Sequence, residues 1–307
     1  MHLTHDLHDV YGQKIAAQGC EISARVLRDI IKQGALLPRK TIPVVKTPLF
    51  KDFKKALRDH RYHHVFTQPE TKKKLLRTFS RLKFTDPILL ELLHMKRRLP
   101  DTYHHVLMMS ALVIKTILDI KNTRLDPLLA AYLCLTHDLG KTRIPKTILN
   151  KKEELTLAEY RTIQTHPLIG YVLLNYYWGW QGKKYCRTAL DHHEKLDGSG
   201  YPRGIKKIDS YSKLIAPVDI YDALISKRPY RKLSYNGRLA MDILLEDAQR
   251  GKLHKPSVYQ LVNCIREQKV GSVAEMRVSQ KRRTLPPIGN HYGKIKKTKA
   301  RRLLRSD

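Results

Sequence analysis

Apolar residues recur at helical spacing along most of the chain after about residue 95. Between Asp101 and Asp119, for example, Met108, Leu112 and Thr116 fall at core-type positions of a predicted helix. The alternation of apolar and polar residues that is typical of strands is scarce in this part of the sequence. The pattern therefore predicts a main domain that is nearly all α-helical.

Local signals predict where one of these helices begins and ends. Asp126 followed by Pro127 suits a helix start, because the carboxylate can cap free N–H groups and proline fits the first turn. The same helix is predicted to stop at Gly140. His137 and Asp138 would then lie on its last turn.

Further signals place other polar residues near helix boundaries. Thr156 and Glu159 match a capping box, which predicts the start of a helix that carries His166. Another helix is predicted to end near residues 192–193. Residues 219–224 are predicted to begin or end one more.

The chain before this helical part has a different character. Residues 1–93 contain short amphipathic stretches and basic clusters, and prolines separate two predicted helices at 22–31 and 50–57. No chemistry is visible in the region. We divide the chain into an N-terminal accessory or regulatory region (1–93), a main domain (94–268) and a basic C-terminal tail (269–307).

The net charge is unusually positive. Lys and Arg total 59 against 28 for Asp and Glu, which gives a formal charge of +31 over 307 residues. Such a field attracts polyanions, so a nucleic-acid, membrane or protein partner is a hypothesis alongside a simple effect on solubility. The tail is rich in Lys and Arg and poor in apolar residues, which predicts disorder.

The cysteines and the apolar runs bear on location. Four widely spaced cysteines form no CxxC pair, which favours free thiols in a reducing compartment. No uninterrupted apolar run is long enough to span a bilayer. We therefore expect a cytoplasmic protein without a transmembrane segment, and its oligomeric state is open.

Histidine and aspartate residues suggest a metal site. Asp101 and His105 are four residues apart, so on a helix they share a face, whereas His104 does not keep that spacing. Mixed imidazole and carboxylate ligands suit Fe, Mn or Zn, and an adjacent His-Asp pair favours two ions. Asp197 and Asp222 could serve as loop and helix caps. The candidate ligands are Asp101, His105, His137, Asp138, His166, His192, His193 and Asp219.

Taken in order, these residues belong to longer motifs. The chain carries THDLGK at 136–141, THPLIG at 165–170, HHEKLDGSGYP at 192–202 and VDIYDAL followed by SKRPYR at 218–231. In this order the motifs resemble the HD-GYP domain over about residues 95–266. The resemblance implies a helical bundle of the HD type, a superfamily of metal-dependent phosphohydrolases.

The resemblance also implies roles for individual residues. It makes the candidate ligands a site for two or three divalent ions, Fe or Mn, with Asp138 bridging two of them and Asp101 where members with a third ion use glutamate. Lys141 resembles the lysine that meets the scissile phosphate, so Asp138 and Lys141 are the catalytic candidates. The implied substrate contacts are Lys141, Gly200, Tyr201, Arg228 and Arg231.

The implied activity is hydrolysis of cyclic di-GMP to pGpG and onward to GMP, which lowers the level of a bacterial second messenger. Two alternatives stay open. One is a regulator that binds cyclic dinucleotides with little turnover, and the other is a basic protein associated with nucleic acid. The side chain of Tyr201 could either face the ligand or pack into the core.

Overall fold

The structure is a computed structural model, and it describes residues 1–37, 39–227 and 234–266. Helices dominate the described residues, and four short strands form two antiparallel pairs, β1 with β2 and β3 with β4. The elements in chain order are β1 (Leu7–His8), β2 (Lys14–Ala16), α1 (Ala24–Gly34), β3 (Thr41–Pro43), α2 (Pro48–Ala56), α3 (His63–Phe66), α4 (Pro69–Ser80), β4 (Lys83–Thr85), α5 (Asp86–Arg98), α6 (Pro100–Asp119), α7 (Pro127–Thr136), α8 (Lys146–Leu149), α9 (Leu157–Ile163), α10 (His166–Trp178), α11 (Lys183–Asp191), α12 (Ser210–Ile225), α13 (Gly237–Gln249) and α14 (Lys255–Arg266).

The predicted all-α bundle is confirmed in the described residues. Helix α6 lies at its centre and packs against α5, α7, α12 and α14. Its apolar side chains are buried around nearly the whole circumference, as expected of a helix surrounded by others. Among the helices of the described residues, none combines the length and the apolar character that a bilayer crossing requires.

Two predicted helix starts are confirmed in atomic detail. The Asp126 carboxylate accepts a hydrogen bond from the Leu128 N–H at 2.9 Å, and Pro127 occupies the first position of α7. At α9, Thr156 accepts from the Glu159 N–H while the Glu159 carboxylate accepts from the Thr156 N–H, which completes the capping box. These contacts satisfy N–H groups that the helices leave without partners.

Other boundary predictions were wrong. Helix α9 ends at Ile163, and His166 begins α10 instead of lying within the capped helix. Pro167 explains the break, because the proline ring clashes with the carbonyl four residues earlier in a helix interior and is best accommodated in the first turn. Helix α7 likewise ends at Thr136, so His137 and Asp138 follow the helix and precede a 3₁₀ turn at 139–143.

Gly140 is needed for packing and does not mark the end of α7. A Cβ atom at this position would lie 2.0 Å from the carbonyl oxygen of His166 and 2.6 Å from the nitrogen of Gly170. The 3₁₀ turn and α10 therefore touch backbone to backbone. This approach brings the segment that carries Asp138 beside the first turn of α10.

The prediction that residues 219–224 begin or end a helix is confirmed in its second form, because these residues form the last turns of α12. Helix α12 runs from Ser210 to Ile225, and Asp219 lies in its interior. Its start is set by Asp209, whose carboxylate accepts from the N–H groups of Tyr211 and Ser212. Position 219 therefore lies inside the helix, less than two turns before its end at Ile225.

The N-terminal region shares the apolar core with the rest of the chain. The predicted helices at 22–31 and 50–57 correspond to α1 and α2. Helix α1 packs against α10, and α2 packs against α6. The proposed division between residues 93 and 94 falls within α5 and stays a prediction, and the predicted tail lies outside the described residues.

The contact between α1 and α10 leaves no room for a side chain at Gly34. A Cβ atom there would lie 1.8 Å from the carbonyl oxygen of Tyr176. We expect Gly34→Ala to lower the free energy of unfolding by about 1–3 kcal/mol, because backbone cannot yield as a side chain can. Urea unfolding followed by circular dichroism measures the change.

The matched control is Gln33→Ala, which changes an exposed neighbour in the same helix. It should leave stability unchanged or slightly higher, since alanine is a good helix former. A Gly34→Ala variant as stable as Gln33→Ala would contradict the close approach of α1 to α10.

Candidate metal centre

Seven of the eight candidate ligands converge in the structure. They come from the interior of α6, the segment after α7, the start of α10, the end of α11 and the interior of α12. Donor atoms within 4.8 Å of one another form three overlapping groups. The seven residues, all buried, are His105, His137, Asp138, His166, His192, His193 and Asp219.

Three of the histidines are oriented by backbone carbonyl groups at helix ends. The Nδ1 atoms of His137, His166 and His192 lie 2.7, 2.7 and 3.0 Å from carbonyl oxygens three residues earlier in the chain. A carbonyl can only accept, so each Nδ1 carries the proton and donates. Each Nε2 therefore keeps its lone pair and faces the cluster.

The resulting arrangement fits a cation. Nε2 of His166 lies 3.3 Å from Nε2 of His192, and Nε2 of His137 is buried and makes no hydrogen bond. Burial lowers the pKa of all three rings, and neighbouring imidazoles lower that of His192 further. Neutral rings whose lone pairs converge are the state that transition metals bind.

Asp138 supplies negative charge to the same place. Burial alone would raise the pKa of its carboxyl, but the Lys141 ammonium and the nearby imidazoles hold it well below its usual range. Oδ2 accepts a hydrogen bond from Nζ of Lys141 at 2.6 Å. Oδ1 lies 3.3 Å from Nε2 of His166 and makes no hydrogen bond. One oxygen of this carboxylate is thus available to an ion.

His105 and Asp219 form the other side of the cluster. Nε2 of His105 lies 3.1 Å from Oδ1 of Asp219, and its Nδ1 lies 2.5 Å from Oδ2 of Asp222. Burial would lower the pKa of His105, but these two carboxylates raise it. The sequence suggested Asp222 as a helix cap, and this was wrong, because its side chain reaches across to a ligand. The three-residue spacing of Asp219 and Asp222 on one helix face was the signal for this role.

Asp101 does not join the seven ligands. It is exposed on the first turn of α6 and belongs to none of the three donor groups found in the described residues. It lines an open cleft of about 330 Å³ that also reaches His105. The competing His104 is directed away from the cluster, since its Nε2 lies 2.7 Å from Oδ2 of Asp59.

The loop formed by Gly200, Tyr201 and Pro202 covers one edge of the cluster. The Tyr201 ring stacks on His193, with centroids 4.6 Å apart and planes inclined by 24°. A Cβ atom at Gly200 would lie 2.4 Å from Cα of Glu194, so only glycine fits there. The Glu194 carboxylate in turn accepts hydrogen bonds from the backbone N–H groups of Arg203 and Ile205. Tyr201 therefore packs on His193, a candidate metal ligand. The predicted substrate contacts Arg228 and Arg231 lie outside the described residues.

A metal-dependent gain in stability checks this assignment. We expect Mn²⁺ at 100 times its Kd to stabilise the metal-free protein by about 2.7 kcal/mol, because only the folded chain holds the donors together. Thermal unfolding with and without Mn²⁺ measures the gain. His192→Ala should remove most of it.

The control for this experiment is His254→Ala. His254 is half-buried, and its Nδ1 lies 2.8 Å from the Ser257 hydroxyl, away from the seven ligands. This variant should keep the full increment from Mn²⁺ whatever its own stability. An equal increment in the His192→Ala protein would refute the proposed ligand set.

The chain is similar to known proteins. A family model described as "HD domain" matches residues 87–254. The cyclic di-GMP phosphodiesterase response regulator RpfG of Xanthomonas campestris is 40% identical over 125 residues, which are 39% of this chain and 32% of that protein. The 3'3'-cGAMP-specific phosphodiesterase 1 of Vibrio cholerae is 41% identical over 128 residues, which are 40% of this chain and 29% of that protein.

A solved structure is also similar, the HD domain of the L. monocytogenes phosphodiesterase PgpH in complex with cyclic-di-AMP. It is 20% identical with a TM-score of 0.45, and the match covers 59% of this chain and 99% of that one. The chain spans about a third of the length of the two curated relatives. The HD domain match, in contrast, includes all seven clustered ligands and more than half of this sequence. The chain therefore belongs to the HD domain family.

Proposed function

We propose that this protein hydrolyses a phosphodiester bond of cyclic di-GMP, giving pGpG and then GMP. The observation that carries the proposal is the buried cluster of five imidazoles and two carboxylates beside the Lys141 ammonium. The relatives support the substrate class, since one is named a cyclic di-GMP phosphodiesterase and another a cGAMP-specific phosphodiesterase. The same reaction in this chain would lower the concentration of a second messenger.

The proposed cofactors are two or three divalent ions, Fe or Mn, held by the seven clustered residues. When bound, such ions supply Lewis-acid polarisation of a phosphoryl oxygen and activation of water at neutral pH. The overlap of the three donor groups supports more than one ion, because His137 and His192 each belong to two groups. Asp101, on the rim of the adjoining cleft, is the candidate for a further ligand.

Cationic residues of the protein would offset the negative charge of the substrate's phosphates. Lys141 is 7% exposed and holds its ammonium group against Asp138, where it can offset charge that develops on a phosphoryl oxygen. The cleft that adjoins His105 opens between Arg61 and Lys227 and is large enough for part of a dinucleotide. The lining includes the cations Arg61 and Lys227, which suit a phosphate ester, and one carboxylate, Asp101.

Turnover with product identification tests the proposal. Anaerobically purified protein with Mn²⁺ or Fe²⁺ should convert cyclic di-GMP to pGpG or GMP, as measured by liquid chromatography and mass spectrometry. The double variant His137→Ala and Asp138→Ala should abolish the reaction because it removes shared ligands. Lys141→Ala should lower kcat by about 10²–10³-fold through loss of one electrostatic contact.

His254→Ala serves again as the control and should keep wild-type turnover. Cyclic di-AMP and 3'3'-cGAMP assayed in parallel show which cyclic dinucleotide is preferred. Tight binding of cyclic di-GMP without product, under every metal tested, would favour the alternative of a regulator with little turnover.

A second candidate function, association with nucleic acid, is favoured by the surface of α2 and α4. The two helices pack together through Phe53 and Phe79, whose rings stack 3.7 Å apart. Their outward faces carry exposed cations at helical spacing, and none lies within 4.0 Å of a carboxylate oxygen in the described residues. These cations are Lys51, Lys54 and Lys55 on α2, Lys73, Lys74 and Arg77 on α4, and Arg58 and Arg81 just after the two helices.

Like charges three and four residues apart on a helix repel one another, so this surface is electrostatically unfavourable in isolation. The cationic surface of α2 and α4 is suited to a partner with regularly spaced negative charges, such as the phosphates of a nucleic-acid duplex. Neither helix exposes a large apolar side chain, as a membrane-surface helix would. The one partly exposed aromatic ring, Phe50, is covered by Lys54 at 4.5 Å, so the stacking platform expected for single strands is missing from these two helices.

Charge reversal tests this second candidate. We expect Lys51, Lys55, Lys74 and Arg77, changed together to Glu, to weaken binding to a labelled 20-base-pair DNA and to reduce the salt slope by about 0.9 per lost contact. Fluorescence anisotropy at several salt concentrations gives both quantities. The matched control reverses four exposed cations elsewhere: Lys121, Arg124, Lys146 and Arg161.

Both variants change the net charge equally, so a general effect of charge would weaken both to the same extent and would contradict a specific surface. Binding of anionic vesicles in preference to DNA would assign the surface to a membrane instead.

A further inference from the structure

Asp222 is a fully buried carboxylate whose two oxygens serve different parts of the chain. Oδ2 lies 2.5 Å from Nδ1 of His105, a candidate metal ligand. Oδ1 accepts a hydrogen bond from the Tyr62 hydroxyl at 2.5 Å and lies 3.5 Å from Nη1 of Arg61. Asp222 therefore connects a ligand in the HD domain to residues about 160 positions earlier in the sequence.

Those earlier residues lie before residue 87, where the family match begins. Arg61 and Tyr62 belong to a 3₁₀ turn at 60–62, between α2 and α3. The match region alone thus contains Asp222 and His105 but lacks the groups that engage Oδ1 of Asp222. In this chain the N-terminal region supplies them.

Asp59 fixes the turn. Its carboxylate accepts hydrogen bonds from the backbone N–H of Arg61 at 2.9 Å and from the guanidinium at 2.6 Å and 3.1 Å. The same carboxylate contacts Nε2 of His104 on α6. Asp59 thus connects the turn to α6 at His104, the residue next to His105.

This arrangement decides how the His105 ring can be held. His105 lies within α6, where the carbonyl groups accept hydrogen bonds from the helix itself. Its ring therefore has no free carbonyl of the kind that orients His137, His166 and His192. The Asp222 side chain takes that role. A carboxylate can rotate about χ2, and two further contacts on Oδ1 restrict that rotation.

We propose that Tyr62 and Arg61 are positioning residues for the metal ligand His105, so that the N-terminal region completes the metal centre of the HD domain. Through Asp222 they direct Nε2 of His105 towards Asp219. The inference rests on the proposed metal centre. It gives the N-terminal region a defined role at the site, in addition to any signal that it receives.

Metal binding is the direct test, because it requires no substrate. Mn²⁺ titrated into the metal-free protein of residues 1–307 by calorimetry gives stoichiometry and affinity. Tyr62→Phe removes only the hydroxyl, and we expect about 10- to 100-fold weaker binding at the site that includes His105. Excess Mn²⁺ should restore turnover of this variant, and circular dichroism of the metal-free variant checks that it is folded before the titration.

The matched control is Tyr103→Phe. The Tyr103 hydroxyl also donates to a carboxylate between α6 and the N-terminal region, Oδ2 of Asp52 at 2.8 Å, but Asp52 contacts none of the seven ligands. This variant should bind Mn²⁺ as the wild type does. The Mn²⁺ affinity of Arg61→Gln is measured as well, so that the positioning role is tested even if only one of the two variants folds.

The outcomes separate the two proposals. Wild-type affinity and stoichiometry in a folded Tyr62→Phe or Arg61→Gln protein would overturn the positioning role and leave the metal centre intact. Equal weakening in Tyr103→Phe would also overturn it, because general loosening of the N-terminal region would then explain the loss. Failure of the wild type to bind Mn²⁺ or Fe²⁺ would reject the metal centre itself, and the positioning role with it.

Discussion

Nε2 of His166 and Nε2 of His192 face each other at 3.3 Å in the buried cluster, and this contact constrains the structure around it. Two lone pairs at that distance repel, and burial disfavours the protonated form of either ring. A bound cation removes the repulsion. Until a cation binds, the fold must hold the imidazoles in place against this repulsion. Each ring therefore needs a hydrogen-bond partner outside the cluster that fixes its orientation.

Helix ends provide three of these anchors. The last carbonyl groups of a helix have no partner within it, and those of Cys134, Ile163 and Ala189 accept the Nδ1 protons of three ligands. Each contact satisfies a carbonyl group and orients an imidazole at once. His105 lies within a continuous helix and cannot use this device, so its ring depends on a side chain, Asp222, and on whatever holds that side chain.

The sequence predicted those parts of the structure that depend on neighbouring residues. Helical periodicity, the Asp126 cap and the Thr156 capping box act within a few positions, and the structure contains them. The seven residues that converge were predictable as candidate metal ligands because their motifs resemble a known family. The start of α10 was missed because the capping box at Thr156 gives no helix length, although Pro167 was a signal for a new start. Tyr62 could not be assigned, because its partner is 160 residues away and no local pattern links them.

Buried polar contacts make the position of the N-terminal region specific. Tyr177 accepts a hydrogen bond from the Val10 N–H and donates to Glu91, while Arg143 pairs with Glu91 and donates to the His8 carbonyl. Apolar contacts alone would tolerate small displacements, whereas these contacts are satisfied in one arrangement only.

Small displacements of the region are therefore unfavourable. Tyr62 and Arg61 reach Asp222 from this region, so the proposed placement of His105 depends on how the region packs against the HD domain. Coupling of this kind is reciprocal, so a bound metal would stabilise the packing of the N-terminal region by the same free energy with which that packing favours metal binding.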